Sequence, residues 1–373
     1  MTQQIRDSKP LKRRAFLKTA GIGAAAAATM AAPAIAQSQP EIKWRLSSSF
    51  PKSLDTLYGG SEYMAKRVAE ATDGKFQIRV FAAGEIVPGL QVLDAVQNGT
   101  IEMGHTASYY FFGKDPTFAF DCAVPFGPNQ RQHSAWLWHG GGLQLLRDFF
   151  KEYNVHNIPM GNTGTQMGGW FRKEIKTVKD LEGLKFRVGG FAGQVLTKLG
   201  VVPQQIAGGD IYPALERGAI DAAEWVGPYD DEKLGFSKVA KYYYYPGWWE
   251  GGETNHLMVN LEKWNELPKR YQSILTSAAG HATVEAIGRY DSRNPGSLRK
   301  LMATGTELRA FSQPIMEASL KASNEVNAET SAINADFKKT LASMQAFRNE
   351  EYFWWQIAEY SYDTFMIRSR TRT

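Results

Sequence analysis

Three side chains in this sequence have a type and a setting suited to holding a charged ligand. Arg187 closes the run Asp180-Leu181-Glu182-Gly183-Leu184-Lys185-Phe186-Arg187, just before Val188 and the pair Gly189-Gly190. A guanidinium is planar, permanently charged and forked, so it suits two-point capture of a carboxylate; a surface arginine on a strand is the plainer alternative. Glu224 shares one face of an alternating strand with Ile220 and Ala222, so it projects from an apolar face. A lone buried carboxylate is costly unless a cation answers it, and a structural salt bridge is its other reading. Glu250, between the pair Trp248-Trp249 and the pair Gly251-Gly252, is a second cleft carboxylate or a rim residue. Tyr109, Tyr110, Phe111, Trp225, Trp248 and Trp249 could shield an anion from water, though each taken singly reads as core. Ser47 to Ser49 either donate to the anion or form a turn.

Catalytic constellations do not compete with this reading. The single cysteine, Cys122, lies between apolar neighbours and reads as a small buried residue. The six histidines are scattered, with no H-E-x-x-H pair, and His133 with His139 reads as two helix-surface residues. No G-x-S-x-G elbow is present, and Gly189-Gly190-Phe191-Ala192-Gly193 lacks the dinucleotide fingerprint.

Positioning these groups requires a parallel α/β scaffold. Ile42 to Leu46 alternates as a strand, Ser53 is placed to cap a helix running to about Thr72, and Asp73-Gly74 stops it. Phe76, Ile78 and Val80 then form the next strand, giving a β–α–β unit. Asp94 to Gly104 and Pro213 to Ala223 echo one another: a helical turn, a glycine stop, then a strand, about 120 residues apart. One copy per lobe is expected, each strand running into a ligand-facing carboxyl end. The last third is helical, over Leu267 to Thr283 and as one long pattern from Pro314 to Arg348. Pro268 suits a first helical turn. The aromatic segment 351–360 carries too much apolar surface to be left in water.

The N-terminus supplies the compartment. A basic region with Arg13-Arg14, an Ala-rich stretch and Ala34-Ile35-Ala36 read as a twin-arginine signal peptide over residues 1–36. That segment holds six of the 43 Lys and Arg and one of the 38 Asp and Glu, which leaves 37 of each. A neutral mature chain gives no reason to expect binding to nucleic acid or a membrane surface. No later segment approaches the ~20 apolar residues of a membrane span. One cysteine excludes an intramolecular disulfide, so a chain of this length needs a real core, and such lengths usually divide into two lobes.

The stretch around Arg187, with Leu199-Gly200-Val201-Val202-Pro203 and Tyr212-Pro213-Ala214-Leu215-Glu216-Arg217-Gly218-Ala219-Ile220-Asp221, resembles the substrate-binding subunits of TRAP transporters. Asn162-Thr163-Gly164-Thr165-Gln166, Glu224-Trp225-Val226-Gly227-Pro228 and Pro246-Gly247-Trp248-Trp249-Glu250 are similar to the 2-oxoacid-binding members. The resemblance implies an α/β, two-lobed periplasmic-binding-protein-like clamp with a long C-terminal helical arm. Lobe I would comprise residues 37–163 and 253–295, lobe II residues 164–252 and 296–325, and the arm residues 326–373. It implies that Arg187 holds the substrate carboxylate, with Asn162, Gln166, Glu224, Trp225, Tyr109 and Glu250 around it. A cation, Na⁺ or Ca²⁺, would be ligated by Gln166, Glu224 and the Trp225 carbonyl, with Glu250 at its edge; all-oxygen ligation suits such hard ions. The expected protein is a periplasmic receptor, not an enzyme. It would bind a small 2-oxo monocarboxylate such as pyruvate or 2-oxobutyrate and serve TRAP membrane subunits. Lactate or another 2-hydroxy acid, or an exported sensor, are the alternatives. The arm is expected to exchange between subunits of a homodimer.

Overall fold

The computed structural model describes residues 39–370, so the expected signal peptide lies outside the described residues. The opening β–α–β unit is present: β1 (Ile42–Ser48), a helix over Tyr58–Ala71 and β2 (Phe76–Phe81), with β1 and β2 parallel and Ile42 opposite Phe76. Ser53 does not cap the helix. The chain first closes a turn in which Leu54 N–H donates to the Pro51 carbonyl and Gly59 N–H to that of Leu54. The helix therefore starts at Tyr58, with no side-chain cap. It ends where expected, at Asp73 and Gly74, both with positive φ.

With β3 (Met103–Thr106), β4 (Val155–Asn162) and β10 (Thr254–Asn260) these strands form one sheet, in the order β2-β1-β3-β10-β4. A second sheet holds β5 (Gly169–Phe171), β6 (Lys185–Arg187), β7 (Val202–Gln204), β8 (Ala222–Ala223), β9 (Tyr242–Tyr245) and β11 (Glu307–Ala310). Its order is β11-β9-β5-β8-β6-β7. The echoed segments fall one in each sheet, with Gly99 and Gly218 both at positive φ ahead of β3 and β8.

Three connections pass between the sheets: residues 163–168, residues 246–253, and the helical path after β10. The last of these is dominated by one helix over Lys269–Ala303, far longer than the sequence pattern indicates. It runs through Pro295 and packs against the Tyr58–Ala71 helix, β4 and the helix Pro228–Leu234. Pro268 stands just outside it, at the N-cap. Among the described residues no helix is long and apolar enough to cross a membrane.

The C-terminal pattern is two helices where one was expected. Gln313–Ile333 and Ala335–Ile357 break at Asn334, whose extended backbone and side-chain oxygen, accepting from Phe337 N–H at 2.7 Å, start the second helix. This second helix packs on its own chain. The Phe337 ring lies 4.8 Å from Phe120 and 5.5 Å from Phe191, Met344 is buried, and Arg348 donates to the Phe126 carbonyl. Phe353 and Trp354 near its end, and the helix Glu359–Ser369 beyond it, present large apolar side chains to solvent.

Candidate functional site

The two short crossovers run side by side and are tied by their backbones. Thr163 N–H donates to the Glu253 carbonyl at 3.0 Å, Gln166 N–H to that of Glu250 at 3.1 Å, and Gly247 N–H to that of Gln166 at 2.9 Å. Gly247 must be glycine for this approach, since a Cβ there would lie 2.6 Å from the Met167 carbonyl oxygen. Gln166 and Glu250 thus meet at the junction of the two sheets, joined there by Glu253.

The second sheet adds Arg187, at the carboxyl end of β6, and Glu224 with Trp225, just past β8. Arg187 is 1% exposed and Glu224 0%. The guanidinium donates from Nε to the Ile206 carbonyl at 3.0 Å, and from Nη1 to the Glu224 carbonyl at 2.7 Å and carboxylate at 2.5 Å. Gly189 N–H donates to the same carboxylate oxygen at 2.9 Å. Two of the three guanidinium nitrogens are therefore spent on the protein. Nε is taken up by Ile206 and Nη1 by Glu224, and the Nη2 edge remains for a ligand. The guanidinium also lies 5.0 Å from the Trp225 ring.

The first sheet contributes Tyr109, beyond the end of β3. Its side chain closes over Gly189 and Gly190: a Cβ on Gly189 would lie 2.5 Å from the ring, and one on Gly190 2.8 Å from it. Its hydroxyl lies near the Glu250 carboxyl and favours its charged form. Asn162 is buried close by, but both ends of its amide are engaged, Nδ2 on Thr254 Oγ1 and Oδ1 by Gly164 N–H, so it shapes the crossover turn. Ser49 is bonded to Thr106 and the Gly89 carbonyl, while Ser47 Oγ is buried and finds no partner among the described residues.

One arginine faces three buried carboxyl groups. Burial pushes Glu250 well above the usual carboxylate range, and the charges of Glu224 and Glu253 push it further. Glu253 is raised to about 7 by burial and by Glu224, against the hydrogen bonds from Asn255 and Gln166. Glu224 is raised by burial in spite of Arg187. Several buried polar atoms of these residues, and of Trp249, have no hydrogen-bond partner among the described residues. The acceptors are Gln166 Oε1, Glu224 Oε2 and Glu250 Oε2; the donors are Arg187 Nη2, Trp225 Nε1 and Trp249 Nε1. Buried polar groups are almost always satisfied, so a ligand placed here would meet both unused acceptors and unused donors. The acceptors are all oxygen and suit a hard cation, and the donors suit an anion beside it. Among the described residues no three His, Cys, Asp or Glu side chains converge as a metal site by themselves. A cation here would need the glutamine, and oxygens of the anion, to complete its shell.

Two features differ from the sequence reading. His133 is buried rather than on a helix surface, bonded to Thr254 Oγ1 at 2.8 Å and to the Phe120 carbonyl at 2.9 Å. Its spacing to Trp136 and Leu137 on one helix face carried that signal. Glu253 was missed, although it stands three residues after Glu250 in the same glycine-rich run.

The chain is closely similar to known proteins. Residues 47–332 match the family described as bacterial extracellular solute-binding protein, family 7. A monocarboxylate 2-oxoacid-binding periplasmic protein of Nostoc sp. is 50% identical over 365 residues, 96% of this chain and 100% of that protein. A TRAP transporter solute-binding protein from Bordetella bronchiseptica, solved as a mixed-occupancy dimer with copurified calcium and picolinate in one active site, superposes with a TM-score of 0.89 at 50% identity. That match covers 90% of this chain and 99% of the other. A TRAP periplasmic solute-binding protein from Pseudoalteromonas atlantica with bound sodium and pyruvate gives 0.84 at 40% identity, covering 86% and 98%. With its two-sheet clamp and its long C-terminal helices, this chain belongs to the family 7 solute-binding proteins, the periplasmic receptors of TRAP transporters.

Proposed function

We infer that the protein binds a small 2-oxo monocarboxylate, of the size of pyruvate or 2-oxobutyrate, together with Na⁺ or Ca²⁺. It then presents the acid to the membrane subunits of a TRAP carrier. The observation that carries this reading is the pairing of unsatisfied acceptors with unsatisfied donors in one buried site. Arg187 Nη2 meets the carboxylate. Gln166 Oε1, Glu224 Oε2 and the Trp225 carbonyl hold the cation, and Glu250 stands at its edge. The bound cation offsets the excess of carboxyl over guanidinium charge and polarises the 2-oxo group. Tyr109 and the Trp225, Trp248 and Trp249 rings keep water out, which strengthens every polar contact inside. Asn162 acts by shaping the turn that carries Gln166. The relatives named above, with their 2-oxoacid, pyruvate and picolinate ligands, support this chemistry.

Lobe I is assigned to residues 37–163 and 253–295, lobe II to 164–252 and 296–325, and the arm to 326–373. Residues 1–36 direct export by the twin-arginine route, after which the mature chain works in the periplasm as a receptor without turnover. The exposed aromatic end of the arm pairs two copies as a homodimer, in keeping with the Bordetella relative. Thermal shift over a panel of 2-oxo and 2-hydroxy acids, with and without Na⁺ and Ca²⁺, tests the ligand assignment. The largest stabilisation is expected for pyruvate or 2-oxobutyrate with a cation present. A larger shift with lactate, or shifts indifferent to the cation, would overturn it.

A further inference from the structure

The Gln166 amide has one end that could hold a cation and one that would repel it, and its immediate partners decide which end faces the site. Its Nε2 donates to Glu253 Oε2 at 2.6 Å and to Thr163 Oγ1 at 3.2 Å, which accounts for both of its hydrogens. Its Oε1 is buried and accepts nothing among the described residues. With Glu253 ionised, neither partner takes the amide the other way round. The Thr163 hydroxyl has a single hydrogen, and it is donated to the Gly164 carbonyl at 2.8 Å, so towards Gln166 the hydroxyl can only accept. Glu253 is held as an acceptor on both oxygens, Oε2 from Gln166 and Oε1 from Asn255 Nδ2 at 2.7 Å. Reversing the amide would set its oxygen against a carboxylate oxygen at that short distance. Glu253 itself is buried, and its backbone is fixed to the Gln166 crossover through Thr163.

We propose that Glu253 is a positioning residue: it locks the Gln166 amide with Oε1 turned towards the cation and Nε2 turned away, without touching cation or substrate itself. The proposal rests on the cation-assisted reading above. It gives a buried carboxylate that sequence analysis passed over a defined part in ligand recognition. It also explains why the two crossovers bring a glutamate and a glutamine together, since neither residue alone fixes the polarity of the site.

The test measures pyruvate affinity by calorimetry on the mature full-length protein, with chelator and then with saturating Na⁺ or Ca²⁺. Glu253→Ala is expected to lose at least tenfold of the cation's enhancement, read as the ratio of its affinities with and without cation against the same ratio in the wild type. Glu253→Gln retains an acceptor for Gln166 Nε2 and should recover most of that enhancement. The reciprocal pair, Gln166→Glu with Glu253→Gln, reverses donor and acceptor while still offering an oxygen to the cation. It should bind with cation support, whereas Gln166→Glu alone should not. A purely structural role predicts equal loss with and without cation and no recovery in the reciprocal pair, and either result overturns the proposal. A wild-type protein indifferent to cations overturns the cation-assisted reading and this proposal with it. A cation-dependent wild type with an unaltered Glu253→Ala overturns only the positioning role.

Discussion

Arg187→Lys separates two jobs that the structure gives to one side chain. The substitution keeps the charge and removes the planar head. That head now spans three places: the Ile206 carbonyl, the Glu224 carbonyl with its carboxylate, and the free Nη2 edge facing the site. A lysine ammonium gathers its donors at one point. It can follow Glu224 or reach towards the ligand, but it cannot do both and also satisfy Ile206. Losing one charged hydrogen bond to the substrate is worth about 1.5–3 kcal/mol, or roughly ten- to two-hundredfold in affinity. Leaving the Ile206 carbonyl unpaired costs about 1–3 kcal/mol of folding stability. Calorimetry with pyruvate at saturating Na⁺ reads the first quantity, and the Tm of ligand-free protein reads the second. Affinity within threefold of the wild type, whatever happens to Tm, would refute the assignment. Arg187 would then be only the partner of Glu224.

The remaining expectations concern closure, pH and assembly. Small-angle scattering should give a smaller radius of gyration with pyruvate and cation than without; an unchanged radius at saturation would refute hinge closure. Burial raises Asp230 to about 6 and Asp231 to about 7, so the folded protein keeps protons that the unfolded chain, titrating near ~3.9, has released. The stability they contribute is full below about pH 4 and is lost as pH rises through 6 and 7. Buried His105, His133 and His156, held below their ordinary value, act in the opposite direction, so the aspartate is read by difference: Asp231→Asn should gain Tm relative to the wild type as pH rises from 5 to 8, and a difference that does not change with pH would refute it. Full-length protein should sediment as a dimer at micromolar concentration, and deletion of residues 351–373 should give a monomer that still binds pyruvate. A monomeric full-length protein, or a dimeric deletion, would refute the arm's role.

What was legible in the sequence depended on how local the signal was. Gly99 and Gly218 betrayed the echoed units because a helix stopped at positive φ leaves its mark at one position. The β–α–β unit was plain in the alternation of Ile42 to Leu46 and of Phe76, Ile78 and Val80. The start of the first helix was not, because it is set by backbone hydrogen bonds within 51–60 that no side chain announces. Asn334 did carry a capping signal, but strong helix formers on both sides masked it. The helix Lys269–Ala303 extends well past Thr283 and through Pro295, because its packing on the Tyr58–Ala71 helix, β4 and Pro228–Leu234 outweighs the lost backbone donor. Glu253 was beyond reach for another reason. Its meaning lies in a contact with a glutamine 87 positions away, which exists only because the chain crosses between the sheets twice at one place.

That double crossing has a consequence for how binding and motion are linked. If the lobes rotate about residues 163–168 and 246–253, then Gln166, Glu250 and Glu253 sit at the pivot, where displacement on opening is smallest. Arg187, Glu224 and Trp225 travel together on the second sheet, and their mutual contacts, Nη1 to Glu224 above all, do not depend on the first. Tyr109 belongs to the first sheet, and its fit over Gly189 and Gly190 exists only when the lobes meet. The same holds for Thr56 Oγ1, which donates to Asp230 at 2.7 Å far from the ligand groups in sequence. The groups assigned to the cation and the carboxylate can therefore be in place in an open protein, while water is excluded last, by the tyrosine. Binding energy gained at the pivot and on the second lobe then has to be completed by closure, so the radius measured by scattering should contract with substrate and cation together and not with the cation alone.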